Sequence, residues 1–560
     1  MTKALGLFFC LCLFGASLAF SQAQEAGPEL QLALQPSPSY DPVSLSRFDA
    51  SGRDLVENLF IGLTRLNPLT GQIEPALAES WAVSADGLTW TFKLRPDVPW
   101  VTADLVRRVP VAIRPIVAAD VVFALQRACD PRRPSPVNTN LYIIAGCRTL
   151  ATENSLEALS PEVVAARALD EQTLEIRLLY PSAAFLSLTT QPEMRPLPSE
   201  YINDASGQPW FSPSVPISSG PWMVDEWTPG LTMHLIPNPF WPGPRPGNIG
   251  GVSIRFDLGP EQIISGLEGQ NIDAARLDPT TAADLRLASM AGLGWGYRVH
   301  LLGFSFNQRN LDDQAVPSAL DLPEVRRALA LAIDRSALIR AGHIPATRFT
   351  PLGVLAGPDV VLPIFAPNEA QAALAAAGYS SCAQLGVLSM AISNDPADLA
   401  LAQAIVGQWV ANLGCPAENF PLVPSPRTVI LDSARNAVDV QDENAARFPL
   451  WLITWAGDYP DAQAWAPDAL HCEDGYFRSV RPCEGLDALM DSAALESDYA
   501  ARQVIYNQIE EALFGQAGAF PVVPLLWEQR AWAQQPNLAS LQMHGPWQFE
   551  YWFKQLATSN

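Results

Sequence analysis

A chain of 560 residues cannot fold around a single hydrophobic core, because one core stops growing at roughly 250–300 residues. Two or three lobes are expected, with any ligand site between them. Local patterning shows what the lobes are made of. Glu29–Leu34 and Trp90–Leu94 alternate as strands, the second behind an Asp86-Gly87 turn, and Thr173–Leu179 is a strand stopped by Tyr180-Pro181. Ser51–Leu66 carries Leu55, Leu59, Phe60 and Leu63 at helical spacing. Ala118–Cys129 is helical up to Asp130-Pro131, and Asp498–Phe514 is a long helix with Ile505, Ile509 and Leu513 in register. Asp321-Leu-Pro-Glu324 reads as a capping-box-like start with Asp321 as the cap. The Trp-, Pro- and Gly-dense stretch Pro209–Phe256 reads as strands joined by tight turns. Strands and helices interleave throughout, so the class is α/β or α+β, and no fixed-period repeat is present.

The N-terminus places the chain outside the cytoplasm. Lys3, the apolar run Ala4–Phe20 and small residues through Gln24 have the anatomy of a signal peptide, residues 1–23, cleaved after Ala19 or Ala23. Cys10 and Cys12 lie inside the apolar run, too early to carry a lipid on a mature chain. The expected location is therefore across the cytoplasmic membrane, periplasmic or on the cell surface. A net charge of −23 repels phosphate backbones, so no nucleic-acid partner is expected. Six further cysteines, an even number in an exported chain, suggest disulfides. Sequence neighbours favour Cys129–Cys147, Cys382–Cys415 and Cys472–Cys483, among the 15 connectivities six cysteines permit. No CxxC occurs and the five histidines are scattered, so neither a metal site nor a cofactor is expected.

Five blocks in order carry a resemblance. They are Gly71–Trp81 with Ser84–Arg95, Ile116–Phe123, Ser219–Trp227 with Asn238–Trp241, Glu324–Asp334, and Trp455-Ala-Gly-Asp-Tyr-Pro-Asp461. Together they resemble the peptide-binding class of extracellular solute-binding proteins, family 5, the oligopeptide-, dipeptide- and nickel-binding subunits of ABC importers. The stretch Pro99–Pro115 departs from that pattern, being longer than the family's turn, and reads as an extra hairpin on the smaller lobe.

The resemblance implies a periplasmic-binding-protein-like α/β fold, two lobes around a ligand cleft with a smaller inserted third domain. Lobe I would comprise 24–70, 197–303 and 522–560, the insert 71–196, and lobe II 304–521. It also implies a monomer that captures a peptide by hinge closure and delivers it to membrane permease subunits. Asp458 stands where relatives hold the ligand's α-ammonium group, with Trp455 and Tyr459 as flanking walls. Phe48, Asp49 and Ala50 fall where relatives run main chain beside the peptide. Dipeptide-binding relatives carry a bridge at a similar distance after the residue matching Asp458, which implies a Cys472–Cys483 disulfide. Two other functions compete with peptide import: an importer for an oligosaccharide or other small solute, and a secreted glycoside hydrolase using Asp458 and Asp461. The second is disfavoured because these acids lie three residues apart in one Pro-containing loop, and no G-x-S-x-G or H-E-x-x-H motif occurs, so no enzyme is expected.

Overall fold

A computed structural model describes residues 27–46, 49–104, 109–132, 135–136, 138–152, 160–203, 209–306, 316–340, 342–434, 448–473, 475–477, 485–539 and 545–555. The proposed signal peptide, residues 1–23, lies outside the described residues. One 11-stranded sheet runs through the molecule. Its order begins Trp222–Thr228, Thr232–Pro237, Gly251–Arg255, Glu29–Ala33, Ala274–Leu277 and Val522–Gln534. It continues through Ala291–Phe304, Leu450–Trp455, Met390–Ile392 and Leu422–Pro424, with His343–Pro345 added beside Val522–Gln534. Parallel pairs flank Glu29–Ala33 and Met390–Ile392, while the central pairs are antiparallel.

Two large apolar cores divide this sheet. One gathers residues between Leu30 and Ala274 with Leu538–Trp552 from the far end of the chain; the other gathers residues between Val299 and Trp527. The 14-residue strand Ala291–Phe304 and the 13-residue strand Val522–Gln534 pair antiparallel and run from one to the other. Their Phe304 and Val522 ends enter the second core, whereas Ala533, with Ala291 packed against it, joins a small cluster with Ile263 and Ile264. A separate four-stranded antiparallel sheet, Ala78–Val83, Thr89–Leu94, Thr173–Arg177 and Ala166–Asp170, packs with helix Ala118–Cys129 onto the first core.

Most of the expected elements form, with local corrections. The N-terminal helix spans only Ala50–Leu59. Phe60 leaves helical geometry, and a side chain on Gly62 would meet the Thr64 carbonyl, so Thr64–Leu66 continues as a strand. Asp321 does not cap the helix that follows it. Pro323 sets the first turn and Leu322 becomes the cap, while Asp321 accepts from the Ser318 backbone N–H at 2.9 Å in the preceding turn. The hairpin forms as Pro99–Ala103 and Pro110–Pro115, but it also reaches beyond the four-stranded sheet. Val101 exchanges backbone hydrogen bonds with Ser218, and Arg114 grips Asp120 through two bonds of 2.7 and 2.8 Å.

Disulfides Cys129–Cys147 and Cys382–Cys415 are present. Cys472 is also disulfide-bonded, and Cys483, its expected partner, lies outside the described residues. Seven tryptophans, Trp100, Trp222, Trp409, Trp451, Trp465, Trp527 and Trp552, are essentially without solvent contact, so much of the tryptophan content is core.

Candidate functional site

A cleft of about 1180 Å³ opens between a wall built from residues 136–188 and a wall built from residues 427–495. The second wall contains strand Leu450–Trp455, whose six residues are nearly all buried and whose Trp455 pairs with Val299 of the long connecting strand. Trp455 ends that strand with its ring 5.4 Å from Tyr476 and 5.2 Å from Phe477. The chain then turns through Ala456–Pro460. A Cβ on Gly457 would come within 2.5 Å of the Trp465 indole, so the loop can lie flat on that ring only with glycine there. This seats Asp458 and Tyr459 in the cleft wall, together with Trp455.

Behind them lies a hydrogen-bonded shelf. The Tyr459 hydroxyl donates to Asp468 Oδ2 at 2.7 Å, Gln463 donates to Asp468 Oδ1 at 3.2 Å, and the Tyr506 hydroxyl donates to Gln463 at 3.1 Å. Burial pushes the Asp468 carboxyl up to about 6; its two donors pull it down and the nearby Asp461 charge pushes it further up. Burial, reinforced by Asp468, raises the Tyr459 hydroxyl well above its ordinary value, so it stays a neutral donor.

Asp461 turns away from the cleft. It is 3 % exposed and accepts from Arg502 at 2.7 Å, from the Ser187 hydroxyl at 3.1 Å and from the Gln463 backbone at 3.0 Å. Its role is to join the two walls. A second tie runs from the Ala183 N–H to the Ala494 carbonyl at 2.8 Å. Asp458 and Asp461 therefore do not face each other across a substrate position, as a glycosidase pair must.

The facing wall contributes Asn140, Tyr142, Arg148, Tyr180 and Phe185, and Ser46 reaches the rim from the N-terminal segment. Asp49 and Ala50 are not among the lining residues. Asp49 caps helix Ala50–Leu59 by accepting from the Gly52 N–H at 2.7 Å, and Ala50 is its exposed first residue. Phe48 lies outside the described residues. Charge in the cleft is mixed: Asp432, Asp458, Asp468 and Asp491 against Arg148, Arg298 and Arg427. The sequence reading singled out only Asp458 among these seven. The rest come from segments far apart and follow no common spacing; only Asp468, seven residues after Asp461, and Arg148, on helix Cys147–Thr152, carry a signal in their position.

Comparisons with known proteins agree with this fold. The model of "Bacterial extracellular solute-binding proteins, family 5 Middle" matches residues 72–477. The periplasmic murein peptide-binding protein MppA of Escherichia coli is 26% identical over 544 residues, covering 92% of each chain. The oligopeptide-binding protein OppA of Bacillus subtilis is 23% identical over 522 residues, covering 89% of this chain and 87% of that one. Among solved structures, the unliganded open form of MppA superposes with a TM-score of 0.71 at 22% identity, covering 91% of this chain and 94% of that chain. Peptide-bound OppA of Listeria monocytogenes superposes at 0.60 and 19% identity, covering 94% and 99%. No helix among the described residues is long and apolar enough to cross a membrane. A two-core fold of the periplasmic-binding-protein type, a walled cleft and a match across most of the chain lead to one assignment: this chain belongs to family 5 of the bacterial extracellular solute-binding proteins.

Proposed function

We propose that this protein captures peptides in the cleft for an ABC importer, with Asp458 receiving the ligand's α-ammonium group. The observation that carries the reading is the position of Asp458 and Trp455 together in the wall of a two-sided cleft. A peptide brings an ammonium at one end and a carboxylate at the other, and the cleft offers carboxylates and guanidinium groups in one cavity. A neutral sugar needs neither, although the aromatic wall of Trp455, Tyr459 and Tyr476 would suit stacking. Relatives named for murein peptides, oligopeptides and dipeptides support the same choice.

The division into lobe I (24–70, 197–303, 522–560), an insert (71–196) and lobe II (304–521) is part of this reading. Closure would then bend the paired strands Ala291–Phe304 and Val522–Gln534, which link the two cores. The closed, loaded form is the one a permease would receive, and a separate subunit would use ATP.

The test begins with mass spectrometry of whatever denaturation releases from the purified protein. Calorimetry then compares a recovered peptide and its N-acetylated form on wild type and Asp458→Ala. The substitution is expected to weaken the free peptide by roughly 2–4 kcal/mol, the cost of leaving a buried ammonium without its partner. The acetylated peptide should bind wild type poorly and lose little more in the variant. Equal binding of both forms by wild type refutes the ammonium site and turns the assignment toward a sugar or another solute.

A further inference from the structure

At the joint between the two cores, three strands bring donor groups together that lie far apart in sequence. His343 stands directly opposite Glu528 in the pairing of His343–Pro345 with Val522–Gln534. His300, on Ala291–Phe304, stands opposite Leu526, two residues from Glu528 and so on the same face of the sheet. One donor atom from each of His300, His343 and Glu528 lies within 4.8 Å of the other two. The imidazole centroids are 5.1 Å apart. His300 is buried, and the other two are half-buried.

We propose that His300, His343 and Glu528 bind a divalent transition-metal ion of the Zn²⁺ class. Two imidazoles and one carboxylate, with a fourth ligand from water, suit such an ion; its bonds of about 2.0–2.2 Å put tetrahedral donors roughly 3.3–3.6 Å apart, so donors spread over up to 4.8 Å draw in on binding. The orientation of His300 supports the assignment. Its Nε2 faces Glu528 Oε1 at 3.7 Å, and its Nδ1 faces Asp398 Oδ1 at 3.9 Å. Asp398 is held by the Ser393 hydroxyl, which donates to Oδ2 at 2.6 Å. The 3.9 Å gap is longer than a hydrogen bond, and Arg340 Nη2 also lies 3.5 Å from Nδ1; closing that gap on metal binding would put a carboxylate behind the non-ligating nitrogen, the usual means of fixing a metal-binding imidazole.

Two arginines also contact the cluster. Arg298 donates to Glu528 Oε2 at 2.7 Å and leaves Oε1 facing His300. Arg340 donates to His300 Nε2 at 3.0 Å, so the ion takes this nitrogen from a guanidinium whose Nε and Nη1 have no hydrogen-bond acceptor among the described residues. Metal binding therefore exchanges one bond of a poorly satisfied arginine for three coordinate bonds. It also reaches the cleft, because Arg298 lines the cleft and shares Glu528 with the ion. The second grouping of potential ligands, His471, Cys472 and Asp487, lacks a thiolate because Cys472 is disulfide-bonded.

The experiment uses the untagged mature protein, titrated with Zn²⁺ in a calorimeter, with Mg²⁺ as control, and with Co²⁺ followed by its visible absorption. Saturable binding of one Zn²⁺, without Mg²⁺ binding, is expected, with the intense bands of a four-coordinate Co²⁺ ion. His343→Gln should abolish both signals. Asp398→Asn, outside the ligand set, should weaken Zn²⁺ by roughly 10–100-fold and serves where a ligand variant does not fold. Absence of saturable Zn²⁺ binding, or binding that survives both substitutions unchanged, overturns the proposal.

Discussion

Asp468 makes the shelf beneath the ligand-facing loop sensitive to pH in a calculable way. Its carboxyl is raised to about 6 in the folded protein, chiefly by burial, from an ordinary value of 3.8. The folded state therefore holds this proton more tightly than the unfolded chain does. The resulting stabilisation is fully present below the unfolded value and is lost as pH rises through about 6. Integrated over these two values, wild type gains about 1.4 kcal/mol at about pH 5 relative to about pH 7.5. The cleft side of Asp468 is open to water, so screening makes this an upper figure. Asp468→Asn removes the titration and keeps an oxygen to accept from Tyr459. The assay is urea unfolding of wild type and variant at the two pH values, read by tryptophan fluorescence. Wild type should gain on the variant at the lower pH by about 1 kcal/mol. A difference that does not depend on pH, or that favours the variant at low pH, refutes the argument that burial governs this carboxyl.

Three further outcomes are expected. Arg502→Met strands the buried Asp461 carboxylate and should cost roughly 3–5 kcal/mol, measured by denaturant unfolding; a loss within error would show that Ser187 and the backbone suffice for Asp461. Replacing Cys382 and Cys415 together by alanine opens a loop of 33 residues and should cost roughly 3–4 kcal/mol in the chain-entropy model, read as a lowered urea midpoint. Gly303→Ala places a methyl within 2.0 Å of the Trp451 ring on the neighbouring strand, so a loss of roughly 1–3 kcal/mol and an altered tryptophan emission are expected.

Local chemistry determined much of this protein from the sequence alone. Helix Ala118–Cys129 ends where Asp130-Pro131 says it must, and Asp498 caps helix Tyr499–Phe514. Cys129–Cys147 and Cys382–Cys415 join sequence neighbours, and Trp455, Asp458 and Tyr459, singled out in the sequence, line the cleft. Such features rest on periodicity, caps and turns, whose causes lie within a few residues of their effects. Tertiary structure decided the rest. Asp458 and Asp461 look equivalent in sequence, yet one lines the cleft and the other is buried against Arg502 and Ser187. Asp49, expected beside a ligand, caps a helix. His300, His343 and Glu528 meet only because three strands pair at the joint between cores. No local spacing encodes such meetings, since a side chain's partners across a sheet are chosen by strand register and by which core buries each face.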